Sequence, residues 1–294
     1  MSPIQAWWLA IRPRTLPAAT APVLVGSAHA YRVGHFVALP ALAALIGALL
    51  IQIVSNLAND YFDFKKGADT EERLGPTRVT QAGLISEKGV LGGLVTCVLL
   101  AVLVGLYLVW VGGWPIVAVG VVSLICAIAY TGGPFPLGYN GLGELFVFFF
   151  FGPVAVAGTV YVQSLRWEPL AALAGVPIGL LCANILVVNN VRDVETDAKA
   201  GKRTLAVRFR RKFGENLYAF DLLLAALSLL AYALTASATW ALLAAPVLLL
   251  ARPLLHALRT LRGKPLNPIL GQTAQLELRF ALAMAIGTIV SAHL

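Results

Sequence analysis

Charged side chains are scarce in this chain of 294 residues: Asp, Glu, Lys and Arg together make up 12%. A soluble domain carries about 25%, so a water-facing surface wrapped around one large core does not fit the composition. Cysteine is nearly absent. The three present, Cys97, Cys126 and Cys182, stand far apart inside apolar stretches, without metal-ligand or paired spacing. Cysteine metal sites and a disulfide framework therefore drop out, and the thiols read as packing residues. Acidic residues are fewer than basic ones, leaving a formal charge of +8. That excess does not indicate nucleic acid, because the basic residues are confined to a few loops between apolar runs.

Apolar residues are abundant, at 59%. Runs of about 18 or more recur along the whole length, the pattern of membrane spans. Residues 37–55 form one such run, broken only by Gln52. Gly and Pro occur inside these runs, as lipid-embedded helices tolerate. The pattern predicts an all-α, polytopic membrane protein forming a single domain over residues 1–294, with about nine helices at 16–31, 37–58, 90–111, 114–130, 142–162, 170–190, 216–234, 237–255 and 276–293. Short connections at Gly112–Gly113 and Arg166–Pro169 predict antiparallel hairpins. The first apolar segment, Leu16 to Ala30, leads into further spans and reads as a retained helix rather than a cleaved signal.

Lys and Arg fall in alternate loops. Arg12 and Arg14 precede the first span, and the loops 59–89, 191–215 and 252–275 hold most of the rest. The opposite loops hold only Arg32 and Arg166. By the positive-inside rule the rich side is the cytoplasm, so the expected location is the cytoplasmic (inner) membrane.

Two acidic clusters end apolar helices on that side. The second span closes on Asn56, Asn59, Asp60 and Asp63, spaced by three and four and so predicted to share one helical face. Continuing the sixth helix places Asn189, Asp193 and Asp197 in line at spacings of four. Four spans separate these similar ends, as an internal duplication would leave them. Carboxylates at such spacing repel one another unless a divalent cation sits between them and an anion. Magnesium takes oxygen ligands and is commonly held by one or two carboxylates plus substrate phosphates, so Asp60, Asp63, Asp193 and Asp197 are the expected Mg2+ ligands. Lys65, Lys66, Arg78, Lys202 and Arg203 follow the clusters and could reach phosphate oxygens. A solvated cap on a span is the bland alternative for one Asp pair. Two clusters, each with Asn one turn earlier and a basic Gly/Thr loop afterwards, favour the site.

A diphosphate held at the mouth of a lipid-embedded bundle would leave a hydrocarbon tail running into the apolar interior. Ionisation of an allylic diphosphate there needs charge stabilisation of the leaving group and exclusion of water from the cation. Phe146 and Phe148–Phe151 are aromatic enough to help, but adjacent phenylalanines point all around a helix, so most are expected to face lipid or pack. The loop from Tyr130 to Glu144 is rich in Gly and Pro and could be a simple turn. Its Tyr139, Asn140 and Glu144 lie on the same side as the acidic clusters and could equally line an acceptor pocket.

At these residues the chain resembles the UbiA superfamily of intramembrane aromatic prenyltransferases, whose N-x-x-N-D-x-x-D and D-x-x-x-D clusters match Asn56, Asn59, Asp60 and Asp63, and Asp193 and Asp197. Within it, the chain looks most like the branch acting on 1,4-dihydroxy-2-naphthoate. That likeness is carried by residues 12–17, by 59–70 (Asn59 through Thr70), by 75–83, by the Tyr130–Glu144 loop and by 189–204. The resemblance implies nine helices around a central cavity, Mg2+-dependent binding of a polyprenyl diphosphate, and prenylation of the naphthoate at its carboxyl-bearing carbon with loss of CO2. A different acceptor, such as 4-hydroxybenzoate or a tetrapyrrole, is the alternative on the same fold. An ion-coupled transporter is the alternative of another class. Transporter sites lie near the bilayer midplane on broken helices, whereas these carboxylates gather at one mouth beside Lys and Arg.

Overall fold

The computed structural model describes residues 1–67 and 73–294, and among these every regular element is helical. Ala68, Asp69 and Thr70 of the second-span motif lie outside the described residues. The chain opens with α1 (Pro3–Ile11), capped by a reciprocal Ser2–Gln5 pair with Pro3 at the first helical position. A short 3-10 turn, Pro13–Thr15, leads into α2 (Pro17–Arg32) and α3 (Ala38–Lys65). The helices α4 (Glu87–Gly112) and α5 (Trp114–Ala129) form the expected hairpin. Gly113 turns it at φ +68°, where a side chain would be strained.

The next span is broken in two. After α6 (Gly143–Phe149) comes one π-turn at Phe150–Val154, and the helix resumes as α7 (Ala155–Ser164). Pro153 has no N–H to continue the ladder, and Gly152 takes the non-helical angles φ −113°, ψ −106°. The break lets the backbone approach α8 (Pro169–Arg192) closely: a Cβ on Gly175 would lie 2.6 Å from the Gly152 carbonyl carbon. Small residues at a crossing are how membrane helices gain contact without a hydrophobic driving force.

The chain then runs through α9 (Val194–Lys199) and α10 (Leu205–Arg208) to α11 (Arg211–Thr235). A 3-10 stretch, Thr239–Leu250, continues into α12 (Ala251–Thr260), and α13 (Asn267–Val290) closes the fold. The helix α8 is central, packed by α2, α6, α7, α11 and α13. Around it lies the main core, built from Ile178, Leu181, Leu229, Tyr232, Phe280 and Met284. By contrast α4 is almost entirely peripheral, so its apolar side chains meet lipid.

Seven of these helical segments are long and apolar enough to cross a membrane, and Trp114–Ala129 is a shorter apolar helix. With α2 they occupy the nine expected places, and the chain is a multi-pass membrane protein. The departures lie at the ends. The second span extends to Lys65, so its acidic cluster is fully helical. The sixth stops at Arg192 with Asp193 at its C-cap, and Asp197 sits on the separate short α9. The expected in-line continuation to Asp197 is thus broken by one residue. The last helix begins at Asn267 rather than 276, and Glu277 on it is fully buried.

Candidate active site

The bundle encloses a cavity of about 630 Å³. Its mouth is polar, with Asn56, Asn59, Asp63, Arg78, Tyr139, Asn189, Asp193, Asp197 and Lys202 on the wall. Its far end is apolar and reaches Ile116, Val117 and Val162. Three loops meet over the mouth, one between α3 and α4, one between α5 and α6 and one around α9.

These loops are tied together by specific bonds. Arg203 N–H donates to the Tyr139 carbonyl at 2.8 Å, and Lys202 N–H donates to the Asp197 carbonyl at 2.8 Å. The Tyr139 hydroxyl donates to Asp63 Oδ1 at 2.7 Å. Lys66 donates to the Thr131 carbonyl at 2.7 Å, and the Thr131 hydroxyl donates to Asn59 Oδ1 at 2.9 Å. The ammonium groups of Lys66 and Lys202 each stand 4.7 Å from the centre of the Tyr139 ring.

The carboxylates differ in their partners. Asp63 is buried and receives Arg78 at 3.1 Å and Lys202 at 3.3 Å on Oδ2. Asp193 is gripped in bidentate fashion by Arg192, at 2.8 Å on Oδ1 and 2.6 Å on Oδ2. The same guanidinium donates to Asn189 Oδ1 at 2.7 Å and to Asn267 Oδ1 at 2.8 Å. Among the described residues, the only ion pair of Asp197 is a looser one, with Lys202 at 4.0 Å. Burial pushes its pKa up to about 7, opposed by Lys202 and assisted by Asp193 and Asp63. Burial likewise raises the Tyr130 phenol well above its ordinary value, with the Glu144, Asp197 and Asp63 charges adding to it.

Asp60 does not line the cavity. Its Oδ2 accepts from Val79 N–H at 3.2 Å, and its Oδ1 accepts from Thr80 N–H at 3.1 Å and from the Thr80 hydroxyl. Five other expected residues also lie off the wall, among them Lys66, which donates to the Thr131 carbonyl. Lys65 is half exposed and pairs with Glu87 at 3.1 Å. Arg203 contributes its backbone to the loop tie. Asn140 donates to the Pro136 carbonyl at 2.8 Å within its own turn. Glu144 is buried behind the wall and accepts from Asn190 at 2.8 Å.

Other wall residues were not singled out as site residues. Arg12 and Arg73 line the cavity. Arg12 sits at the bend after α1, with φ 55°. That bend is held by Asn56, which donates to the Ile11 carbonyl at 2.9 Å and to the Thr15 hydroxyl at 3.0 Å, and by Gln52, which donates to Thr15 at 3.2 Å. The sequence signals for Arg12 were the basic residues before the first span and the family likeness carried by residues 12–17. The Phe segment also departs from expectation: Phe146, Phe150 and Phe151 line the cavity, and the Phe146 and Phe150 rings stack at 6.1 Å. Phe149 is exposed and Phe148 packs against the core. Of the cysteines, Cys126 and Cys182 reach the wall.

Among the described residues, no three His, Cys, Asp or Glu side chains converge closely enough to hold a metal unaided. The donor set still fits magnesium. It is entirely oxygen, from Asp63, Asp193 and Asp197 with Asn59 and Asn189, and magnesium shared with a phosphate needs only one or two carboxylates. Arg12, Arg73, Arg78 and Lys202 oppose these three carboxylates on the wall. Such a mouth accepts an anion and cations together, and the apolar depth below accepts a hydrocarbon.

The model of the UbiA prenyltransferase family matches residues 19–269. A 1,4-dihydroxy-2-naphthoate octaprenyltransferase of Mycobacterium tuberculosis is 40% identical, over 97% of this chain and 97% of that protein. One of Escherichia coli is 39% identical, over 99% of this chain and 97% of that protein. A solved UbiA homolog from Archaeoglobus fulgidus, bound to GPP and Mg2+, superposes with a TM-score of 0.62 at 14% identity, covering 96% of this chain and 99% of that one. The match over most of the chain, and relatives this similar along nearly their whole length, make this chain a member of the UbiA prenyltransferase family.

Proposed function

We propose that this protein is a 1,4-dihydroxy-2-naphthoate polyprenyltransferase, moving a polyprenyl group from its diphosphate onto the naphthoate ring with release of diphosphate and CO2 to give a demethylmenaquinol. The carrying observation is the agreement between the cavity, polar at the mouth and apolar in depth, and the names of relatives about 40% identical along nearly the full chain.

In this reading the diphosphate lies among Asp63, Asp193 and Asp197. Magnesium held by those carboxylates, with Asn59 and Asn189 close by, would supply the positive charge that stabilises the departing diphosphate. Arg78 and Lys202, paired here with Asp63, would serve the phosphate oxygens. Arginine offers bidentate contact and lysine a compact point charge. The prenyl tail extends along the apolar wall toward Ile116 and Val162. Phe146 and Phe150 shield the allylic cation from water and present ring faces to it. The electron-rich naphthoate carbon attacks that cation. Bonded to the prenyl group, the carboxyl-bearing carbon has no proton to lose, so it recovers aromaticity by losing CO2. In this reading the mouth faces the cytoplasm in the inner membrane, a placement that the Lys and Arg distribution supports.

The test is a membrane assay with carboxyl-labelled naphthoate and one polyprenyl diphosphate. Labelled gas should appear in step with prenylated product, and chelating magnesium should stop both. A product that keeps its label, or a clear preference for 4-hydroxybenzoate, would rule out this acceptor.

A further inference from the structure

We propose that Asp60 is a positioning residue, which seats Arg78 over the diphosphate subsite, and not a magnesium ligand. The proposal rests on the diphosphate reading given above. Residues on a helix step by about 100°, so Asp60 and Asp63 point about 60° apart despite their shared face. Asp63 takes the side toward the cavity. Asp60 takes the side toward the loop between α3 and α4, where it is only 1% exposed.

A carboxylate offers about four acceptor sites. Three of those on Asp60 are filled, by Val79 N–H, Thr80 N–H and the Thr80 hydroxyl. All three donors come from the two residues immediately after Arg78. The neighbouring Arg78 side chain, itself buried, then reaches back 15 residues to Asp63 Oδ2. The arrangement is a bracket. One helix end presents two carboxylates a turn apart, one fastening the loop backbone and the other facing the guanidinium that the loop carries. A metal on Asp60 would have a single acceptor site left to it, on Oδ2, beside the Val79 amide and on a side chain only 1% exposed.

The experiment uses the full chain purified in detergent, with Asp60→Asn, Asp63→Asn, Thr80→Val, Arg78→Gln and the Asp60→Asn/Arg78→Gln double variant. Mn2+ affinity is read by electron paramagnetic resonance without diphosphate. Hydrogen exchange of the 77–84 segment is followed on the same samples. Asp60→Asn and Thr80→Val should bind Mn2+ like the wild type while exchange in the segment rises, whereas Asp63→Asn should bind Mn2+ about ten-fold more weakly or worse. In steady state, Asp60→Asn should raise KM for the prenyl diphosphate by about ten-fold, the scale of a charge-assisted contact, with a smaller change in kcat. Thr80→Val should move KM in the same direction by less. The double variant should be no worse than Arg78→Gln alone, because both changes remove one interaction. Loss of Mn2+ binding in Asp60→Asn equal to that in Asp63→Asn would overturn the proposal, as would KM effects of Asp60→Asn and Arg78→Gln that multiply. If Asp60→Asn does not fold, Thr80→Val with unchanged segment exchange and unchanged KM would overturn it too. The Mn2+ and exchange measurements need no turnover, so they stand or fall separately from the acceptor and donor assignment.

Discussion

The Tyr139 hydroxyl donates to Asp63 Oδ1 at 2.7 Å, across 76 positions of sequence. Through this bond the loop after α5 reads the state of a carboxylate at the end of α3. With Arg78 and Lys202 on the other oxygen, Asp63 is the point where all three mouth loops meet. A ligand at Asp63 would compete with contacts from each of them.

Removing that hydroxyl should loosen the junction without removing the ring that Lys66 and Lys202 face. Tyr139→Phe is expected to raise KM for the prenyl diphosphate by about three- to ten-fold, the range of one lost hydrogen bond to a charged group. Tyr139→Leu should cost more, since the cation–π contacts go as well. Steady-state kinetics of the two variants side by side make the comparison, and an unchanged Tyr139→Phe would show the bond to be idle.

Metal binding should depend on pH through Asp197, which burial raises to about 7. The neutral acid is a poor ligand, so protons and metal compete for it. Mn2+ affinity should therefore tighten as pH climbs through about 7 and level off above it. Asp197→Asn should bind more weakly and lose this dependence. Titrations at a few pH values between about 6 and 8 decide the matter; a flat wild-type profile would speak against Asp197 as a ligand.

The depth of the cavity should gauge the prenyl chain. Gly120 on α5 and Gly158 on α7 line it, and a Cβ at either would meet nothing within 4 Å. Leucine there would project into the apolar space, while a helical Gly→Leu change improves helix propensity by about 1 kcal/mol. Gly120→Leu and Gly158→Leu should thus leave a folded protein that turns over a short-chain donor but loses about ten-fold or more on a long-chain one. Competition between two donors of different length, with products separated by mass, measures the ratio. Equal losses on both would place the tail elsewhere.

Much of the site was legible before any coordinates. The helices were readable because apolar runs of membrane length tolerate few other states, and both hairpins followed from Gly112–Gly113 and Arg166–Pro169. The two acidic helix ends were readable because Asn and Asp at spacings of three and four on a span have few structural uses. What escaped were roles set by neighbours. Lys65 and Lys202 look alike in sequence, yet one pairs with Glu87 in the open and the other reaches Asp63 inside. Arg192, which falls in the 191–215 loop and in the 189–204 likeness but was given no role there, is the buried clamp on Asp193. The adjacent phenylalanines could be sorted only once the π-turn at Gly152 set which rings face the cavity.

The sequence by itself determined the solvent this protein lives in, the approximate number and the order of its spans, and which ends carry acid and base. Those are properties of local composition and spacing, which a bilayer enforces strongly because unsatisfied backbone and charge are costly there. The tertiary structure alone decided the partner of each carboxylate. Helical periodicity sets the angle between Asp60 and Asp63 but not what waits at either angle. Only the folding of the Arg78–Thr80 segment against α3 gives Asp60 two backbone amides and a hydroxyl, and Asp63 the cavity.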